Sequence, residues 1–235
     1  MRAMLAFTDT DADAIAYEVG VDEVGRGCLC GPVLAAAVVL PSVAEIRAPA
    51  NWEMWRCVKD SKKLSEKKRA ELSAFIRKHC IYGFGWMPPT EIDRVNILQA
   101  TMKAMHVALD ECFRHPTWDT YPTGRRRVQI RVDGNHFRPY VPPGEDTEDQ
   151  WSLAPECVVN GDNTYLCIAA ASIIAKEERD TYMKRLVQSE PQMDVYGLTK
   201  NKGYGTKVHL DALRTHGATP HHRQSFRPVK EASGA

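Results

Sequence analysis

The chain has 235 residues, enough for one large domain or two small ones, and long enough to bury a substantial core. Its 31 basic and 30 acidic residues nearly cancel, so no global field announces a polyanion partner and any nucleic-acid surface has to come from local clustering. Seven cysteines without metal-type pairing, and no signal peptide, predict reduced thiols and a cytoplasmic setting, and the apolar run 33–40 is far too short to span a membrane.

Residues 1–16 lack periodicity and are expected to form a loose leader. Val19 and Val21 then open a strand that delivers Asp22 and Glu23 into the turn Gly25-Arg26-Gly27. Strand alternation points the two acids to opposite faces, so both serve one site only if the backbone bends, which the glycines permit. Taken alone, the pair is equally an exposed acidic strand end. Val33 to Leu40 predicts a strand buried on both faces, and 42–58 an irregular connection with at most a helical turn. The basic loop Lys59-Asp-Ser-Lys-Lys63 precedes a helix capped by Ser65, with Leu72, Phe75 and Ile76 as its buried stripe. Ile81 to Met87 is a strand. Asn96 caps a long helix with Leu98, Met102, Met105 and Leu109 on one face, the methionines being core.

Residues 115–127 form a loop, and Val128, Ile130 and Val132 alternate along a strand that ends at Asp133. The Pro- and acid-rich stretch 138–156 is a surface loop, followed by a short strand within Pro155 to Val159. A helix runs from Asn163 to about Val187, with Asp162 where its N-cap belongs. The small residues Ala169 to Ser172 allow it to pack closely, and Glu177, Glu178 and Asp180 are expected to be solvated. A last helix covers Thr206 to Thr215 and stops at Gly217. A flexible tail is expected over 229–235. No repeat or long linker divides the chain, so 17–228 is one domain. Strands followed by helices predict a mixed α/β sheet with helices on its faces.

Five blocks carry a resemblance. Asp22-Glu-Val-Gly-Arg-Gly27, Lys59-Asp-Ser-Lys-Lys-Leu-Ser65, Val132-Asp-Gly-Asn135, Ala169-Ala-Ala-Ser-Ile-Ile-Ala-Lys176 and Asn201-Lys-Gly-Tyr-Gly-Thr206 resemble those of ribonuclease HII, in that family's order, across about 17–228. The resemblance implies a ribonuclease H-like fold with a helical C-terminal extension. It implies an endonuclease that hydrolyses the RNA strand of RNA–DNA hybrids and cuts 5′ of ribonucleotides embedded in duplex DNA, leaving 3′-hydroxyl and 5′-phosphate ends. Such hydrolysis needs an activated water and a neutralised leaving oxygen. Two Mg²⁺ or Mn²⁺ ions about 3.5–4 Å apart on carboxylates supply both.

Acids stand at strand ends or a helix start at Asp22 with Glu23, at Asp133 and at Asp162, and the resemblance assigns these four to metal binding and catalysis. It assigns the backbone of Gly25, Arg26 and Gly27, and the ring of Tyr204, to the sugar at the ribonucleotide. Lys59, Lys62 and Lys63, with Lys176, Lys200, Lys202 and Lys207, are candidate phosphate contacts. Blander roles exist: Asp133-Gly134 often just makes a turn, Asp162 could cap a helix, Tyr204 could be a packed turn tyrosine, and any one lysine could be solvated. His221 and His222 are not assigned to metal.

The chain departs from the family at Val24, Cys28 and Cys30 beside the recognition turn. It departs again at Asn160, where bacterial relatives typically carry lysine, which puts substrate affinity in doubt. Ribonuclease HIII is disfavoured by Asp162, where that family has glutamate, and by the short leader. A non-catalytic hybrid-binding protein is disfavoured by the presence of all four acids. No obligate protein partner is indicated, and the tail lacks an aromatic pair of the kind that docks on sliding clamps.

Overall fold

The computed structural model describes residues 17–116, 128–140 and 155–232. The expected leader, the Arg-rich loop end and most of the acidic loop lie outside them. Strands β1 (Tyr17–Val24), β2 (Val33–Val39), β3 (Ile81–Met87), β4 (Val128–Asp133) and β5 (Glu156–Val158) make one sheet in the order β3-β2-β1-β4-β5. The first three pair antiparallel, while β4 runs parallel to both β1 and β5.

β2 is buried along its whole length because helices cover both faces of the sheet. On one face lies α5 (Ile97–Phe113). On the other lie α6 (Leu166–Ser189) and α3 (Glu66–His79). The expected mixed sheet with flanking helices is present.

Side-chain parity decides what each face receives. Val19, Val21, Ile130 and Val132 pack into the α5 core. Gly20, Asp22 and Asp133 alternate with them and therefore belong to the α6 side. At Gly20 the helix comes so close that an added Cβ would lie 2.1 Å from the carbonyl carbon of Cys167. The small residues Ala169 to Ser172 continue this contact and are buried.

The structure corrects several expectations. The connection 42–58 holds two helices, α1 (Val43–Arg47), started by a Ser42–Glu45 capping box, and α2 (Pro49–Trp55), with proline in its first turn. A further helix, α4 (Pro89–Val95), precedes α5. Asn96 does cap α5, and Met102, Met105 and Leu109 are buried, but Leu98 is 37 % exposed. Around that first turn, Ala100 is buried with Val33 and Ile92, with Ile97 against them, which leaves Leu98 outside.

Asp162 does not cap α6. It lies in a 3₁₀ turn, Gly161–Asn163, and the helix starts later, with Tyr165 at its N-cap. Of Glu177, Glu178 and Asp180, expected to be solvated, only Asp180 is buried; the other two are partly exposed and pair with Arg69 and Arg77 of α3. Asp180 is buried and accepts from Lys176 at 2.6 Å and Arg69 at 3.4 Å, while Arg77 reaches Glu178 at 2.7 Å.

The C-terminal part is helical, as expected: α7 (Leu198–Asn201), α8 (Lys207–His216) between its caps Thr206 and Gly217, and α9 (Arg227–Ala232). The last of these replaces much of the expected tail. Its Val229 is buried with Met183, Leu186 and Leu213. Among the described residues no helix is long and apolar enough to cross a membrane.

The Gly20 contact yields a test. Gly20→Ala puts a methyl group into helix backbone that cannot yield without moving the sheet, and overpacking of this kind costs about 1–3 kcal/mol or more. At about 2–4 °C per kcal/mol for a chain of this size, thermal denaturation should show a drop of several degrees. An unchanged melting temperature would mean that α6 is free to lift off β1.

Candidate active site

The strand pairing that aligns Val19 with Ile130 and Val21 with Val132 brings Asp22 and Asp133 to the same end of the sheet, one residue beyond the last pair. β1 stops at Val24, and Gly25 turns the chain with φ +90, a conformation that disfavours any side chain. A Cβ there would also lie 2.2 Å from Nε of the buried Arg179. The bend follows the acids and does not separate them: Glu23 keeps strand register opposite Ala35, and the two acids meet at one cleft because it lies at the end of the sheet. Asp22, Glu23 and Asp133 all line a cleft of about 400 Å³, together with Gly25, Arg26 and Gly27 on one side and Tyr204 beyond them. Ser61, Lys62, Ser172 and Lys176 complete its lining.

Asp162 stands one step behind this lining. It is coupled to the cleft through the charge of Asp133 and through Lys62, whose Nζ lies 4.0 Å from its Oδ2. Asn163 donates to its other oxygen at 2.8 Å.

The acids are crowded. Burial holds the Asp22 carboxyl well above the usual carboxylate range, and the charges of Glu23 and Asp133 push it the same way. The Ser172 hydroxyl and the Glu23 N–H, 2.7 Å from Oδ1, oppose that rise. Glu23 is raised mainly by burial, against the pull of Arg26 at 3.3 Å. Asp162 is raised by burial and then by Asp60 and Asp133. Asp133 accepts the Gly161 N–H at 2.7 Å, which ties the Asp162 turn to β4.

A cleft of hard oxygen donors whose charges are mutually unfavourable fits a divalent cation. Among the described residues no three carboxylates, histidines or cysteines are already gathered tightly enough to cage an ion. That suits Mg²⁺-type binding, in which one or two carboxylates are completed by waters and substrate phosphates.

A model of the family described as Ribonuclease HII matches residues 19–229. The chain belongs to the ribonuclease HII family. It is 43 % identical over 223 residues to ribonuclease HII of Paramagnetospirillum magneticum, covering 93 % of this chain and 96 % of that protein. Its fold matches ribonuclease H2 of Pyrococcus horikoshii with a TM-score of 0.65 at 22 % identity, over 93 % of this chain and 98 % of that one. It also matches Bst-RNase HIII, solved in complex with Mn²⁺, with a TM-score of 0.65 at 18 % identity, over 94 % and 70 % of the two chains. The protein is thus an endoribonuclease of the ribonuclease H type.

The residues expected to serve a ribonuclease HII site divide into three groups. Asp22, Glu23, Asp133, the Gly25–Gly27 turn, Lys62 and Tyr204 are brought together around the cleft, and Lys176 with them. Asp162 and Lys63 adjoin it, Lys63 bonding Asn163 and Asp60. Lys59, Lys200, Lys202 and Lys207 do not line it. Residues missed by sequence reasoning include Asp60, buried next to Asp162, and Ser61, which shares a 3.0 Å hydrogen bond with Ser172. Arg179 and Arg223 were missed as well. Ser172, Lys176 and Arg179 recur at helical spacing, so counting along the helix could have found that face.

The crowding predicts the behaviour of the metal-free protein. A carboxyl raised on folding binds its proton more tightly folded than unfolded, so the penalty grows as pH rises from about 3.9 through the folded value and persists above it. Asp22→Asn removes this penalty at constant size. In chelator at neutral pH, calorimetry should show the variant melting a few degrees above the unaltered protein (about 2–4 °C per kcal/mol), with the gap closing near pH 4. A variant that melts lower at neutral pH would show that the Asp22 charge is compensated.

Proposed function

We propose that this chain hydrolyses the RNA strand of RNA–DNA hybrids and cuts on the 5′ side of single ribonucleotides within duplex DNA, leaving 3′-hydroxyl and 5′-phosphate ends. The observation that carries the reading is the sharing of one cleft by three of the four acids and the Gly25-Arg26-Gly27 turn, with the tyrosine ring at its edge. Asp22, Glu23, Asp133 and Asp162 would hold Mg²⁺ or Mn²⁺, which when bound supplies an activated water and neutralises the departing oxygen. The Mn²⁺ complex of Bst-RNase HIII supports this choice of ion class.

The chain's own residues account for selectivity. The carbonyls of Gly25 and Arg26 are taken by the Cys28 N–H at 3.3 Å and by Arg223 at 2.8 Å, which fixes the turn that a 2′-hydroxyl would meet. A Cβ on Gly27 would lie 3.9 Å from Cε1 of Tyr204, so turn and ring form one continuous surface. The ring, 41 % exposed, offers a face on which a sugar can stack. Lys62 and Lys176 line the same cleft and are the cations that would meet a phosphate backbone there.

On a duplex with one ribonucleotide, gel mapping should give a single cut with 3′-hydroxyl and 5′-phosphate ends, because water rather than the 2′-hydroxyl attacks the phosphorus. Asp133→Asn should abolish cleavage while leaving hybrid binding intact. Cyclic phosphate ends, or wild-type turnover of the folded variant, would defeat the assignment. Binding that is equally tight without Mg²⁺ and never followed by product would mark a non-catalytic hybrid-binding protein instead.

Lys62 is freely exposed at its end, whereas Lys63 is tied to Asn163. Lys62→Ala should weaken binding to all duplexes alike and reduce the slope of log affinity against log salt by roughly one. An unchanged slope in a salt titration would place Lys62 outside the interface.

A further inference from the structure

Tyr204 sits between Gly203 and Gly205 in the loop joining α7 to α8, a backbone with little stiffness of its own. Its main-chain carbonyl is nonetheless held twice, by the Thr206 N–H at 2.8 Å and by Nδ1 of the buried His209 at 3.0 Å. Nε2 of His209 lies 3.0 Å from Nε2 of His222, which is equally buried. Nδ1 of His222 accepts the Thr219 N–H at 3.0 Å.

The Thr219 hydroxyl also lies 2.9 Å from that nitrogen and can donate to it, and together these contacts favour one arrangement of protons. An amide can only donate, so Nδ1 of His222 carries the lone pair and its Nε2 the hydrogen. That hydrogen points at Nε2 of His209, which must then accept. The His209 proton is therefore on Nδ1, directed at the Tyr204 carbonyl. Both rings are neutral in this chain of bonds. Burial lowers His209, and burial with the neighbouring His209 and His221 brings His222 down to about 4.

The segment that carries His222 also reaches the other half of the recognition surface. His222 bridges to Cys30, the Arg223 N–H donates to the Leu29 carbonyl at 2.9 Å, and Arg223 Nη1 holds the Arg26 carbonyl at 2.8 Å. Neither His209, His222 nor Arg223 lines the cleft.

We infer that His222 and His209 are positioning residues that aim Tyr204 at the substrate sugar, so that the C-terminal segment sets discrimination at a ribose–deoxyribose junction without touching it. The inference rests on the reading of Tyr204 as a sugar platform. It assigns the histidines an effect on substrate choice that a merely packed pair would not have. A loosened ring would cost the junction, which needs the platform, more than a uniform hybrid, which offers ribose at every position.

The test compares kcat/KM on a duplex with one ribonucleotide against an RNA–DNA hybrid, with folding checked by thermal melting. His209→Phe keeps a ring but no donor, and should lower the junction-to-hybrid ratio on the order of tenfold, as small misplacements of substrate-positioning groups do. His209→Asn keeps a donor near the Nδ1 position and should restore most of the ratio, while His209→Gln should not. Combined with Tyr204→Ala, His209→Phe should add no further loss of the ratio. Equal losses on both substrates, or a ratio that Asn and Gln restore alike, would reduce the pair to packing.

If Tyr204→Ala alone leaves the ratio unchanged, the platform reading fails and the inference with it. Ratio loss in Tyr204→Ala but not in His209→Phe defeats the inference only. Should His209→Phe not fold, the Asn and Gln variants carry the comparison. Long-range proton–nitrogen correlation spectra of the unaltered protein should show His222 protonated on Nε2 and His209 on Nδ1. Any other pair of tautomers at neutral pH would overturn it.

Discussion

The contact on which the remaining geometry depends is the backbone-to-backbone approach of α6 to β1 at Gly20. With no side chain between them, the helix can neither rotate nor slide without leaving a gap or a clash. One register therefore places every later residue of the helix face that meets the site. Ser172 meets Asp22 and Ser61, Lys176 faces the cleft, and Arg179 passes over Gly25 to reach the carbonyls of Pro32, Cys30 and Lys202. Packing and site geometry are a single variable here.

That rigidity holds an electrostatic arrangement the fold would not choose for stability. Asp22, Glu23 and Asp162 are all raised by burial, and Asp133 adds its charge to each. Arg26 and Lys62 offset Glu23 and Asp162 only in part, and the buried arginines nearby are engaged elsewhere. Arg179 and Arg223 spend their donors on main-chain carbonyls, and Arg69 is engaged by Glu177 and Asp180 on the α3 side. The charge of the acids is left only partly balanced, and Arg179 and Arg223 hold the turn beside them in shape. Stability forgone at a site of this kind is a common correlate of function.

The parts of this site that were legible in sequence are those governed by a short period. Alternation in Val128, Ile130 and Val132 placed Asp133 at a strand end, and the same rule placed Asp22. The convergence of Glu23 was not decidable by that rule, since Glu23 keeps strand register and reaches the cleft only because the cleft lies at the end of the sheet. Asp180 was misread because acids late in a helix are ordinarily solvated. The helix that buries it comes from a segment more than a hundred residues earlier, and no local pattern reports that. The His209–His222 contact joins a helix to an irregular segment, so it has no period to count. The start of α6 was placed too early for a related reason, because a 3₁₀ turn intervenes and Asn160 opens it.

Asn160 also bears on how the site handles charge. It adopts φ 55, in the left-handed region that asparagine enters more readily than most residues. From there the chain turns through Gly161, whose N–H binds Asp133, to present Asp162. Asparagine leaves the turn itself without a cation. Lys62 brings a cation to Asp162 from the 3₁₀ turn before α3, its Nζ 4.0 Å away while its side chain remains 82 % exposed. An exposed pair at that distance contributes little to stability and is easily exchanged for another partner. The cation facing Asp162 therefore sits on a long flexible side chain, while the turn that presents the acid carries none of its own.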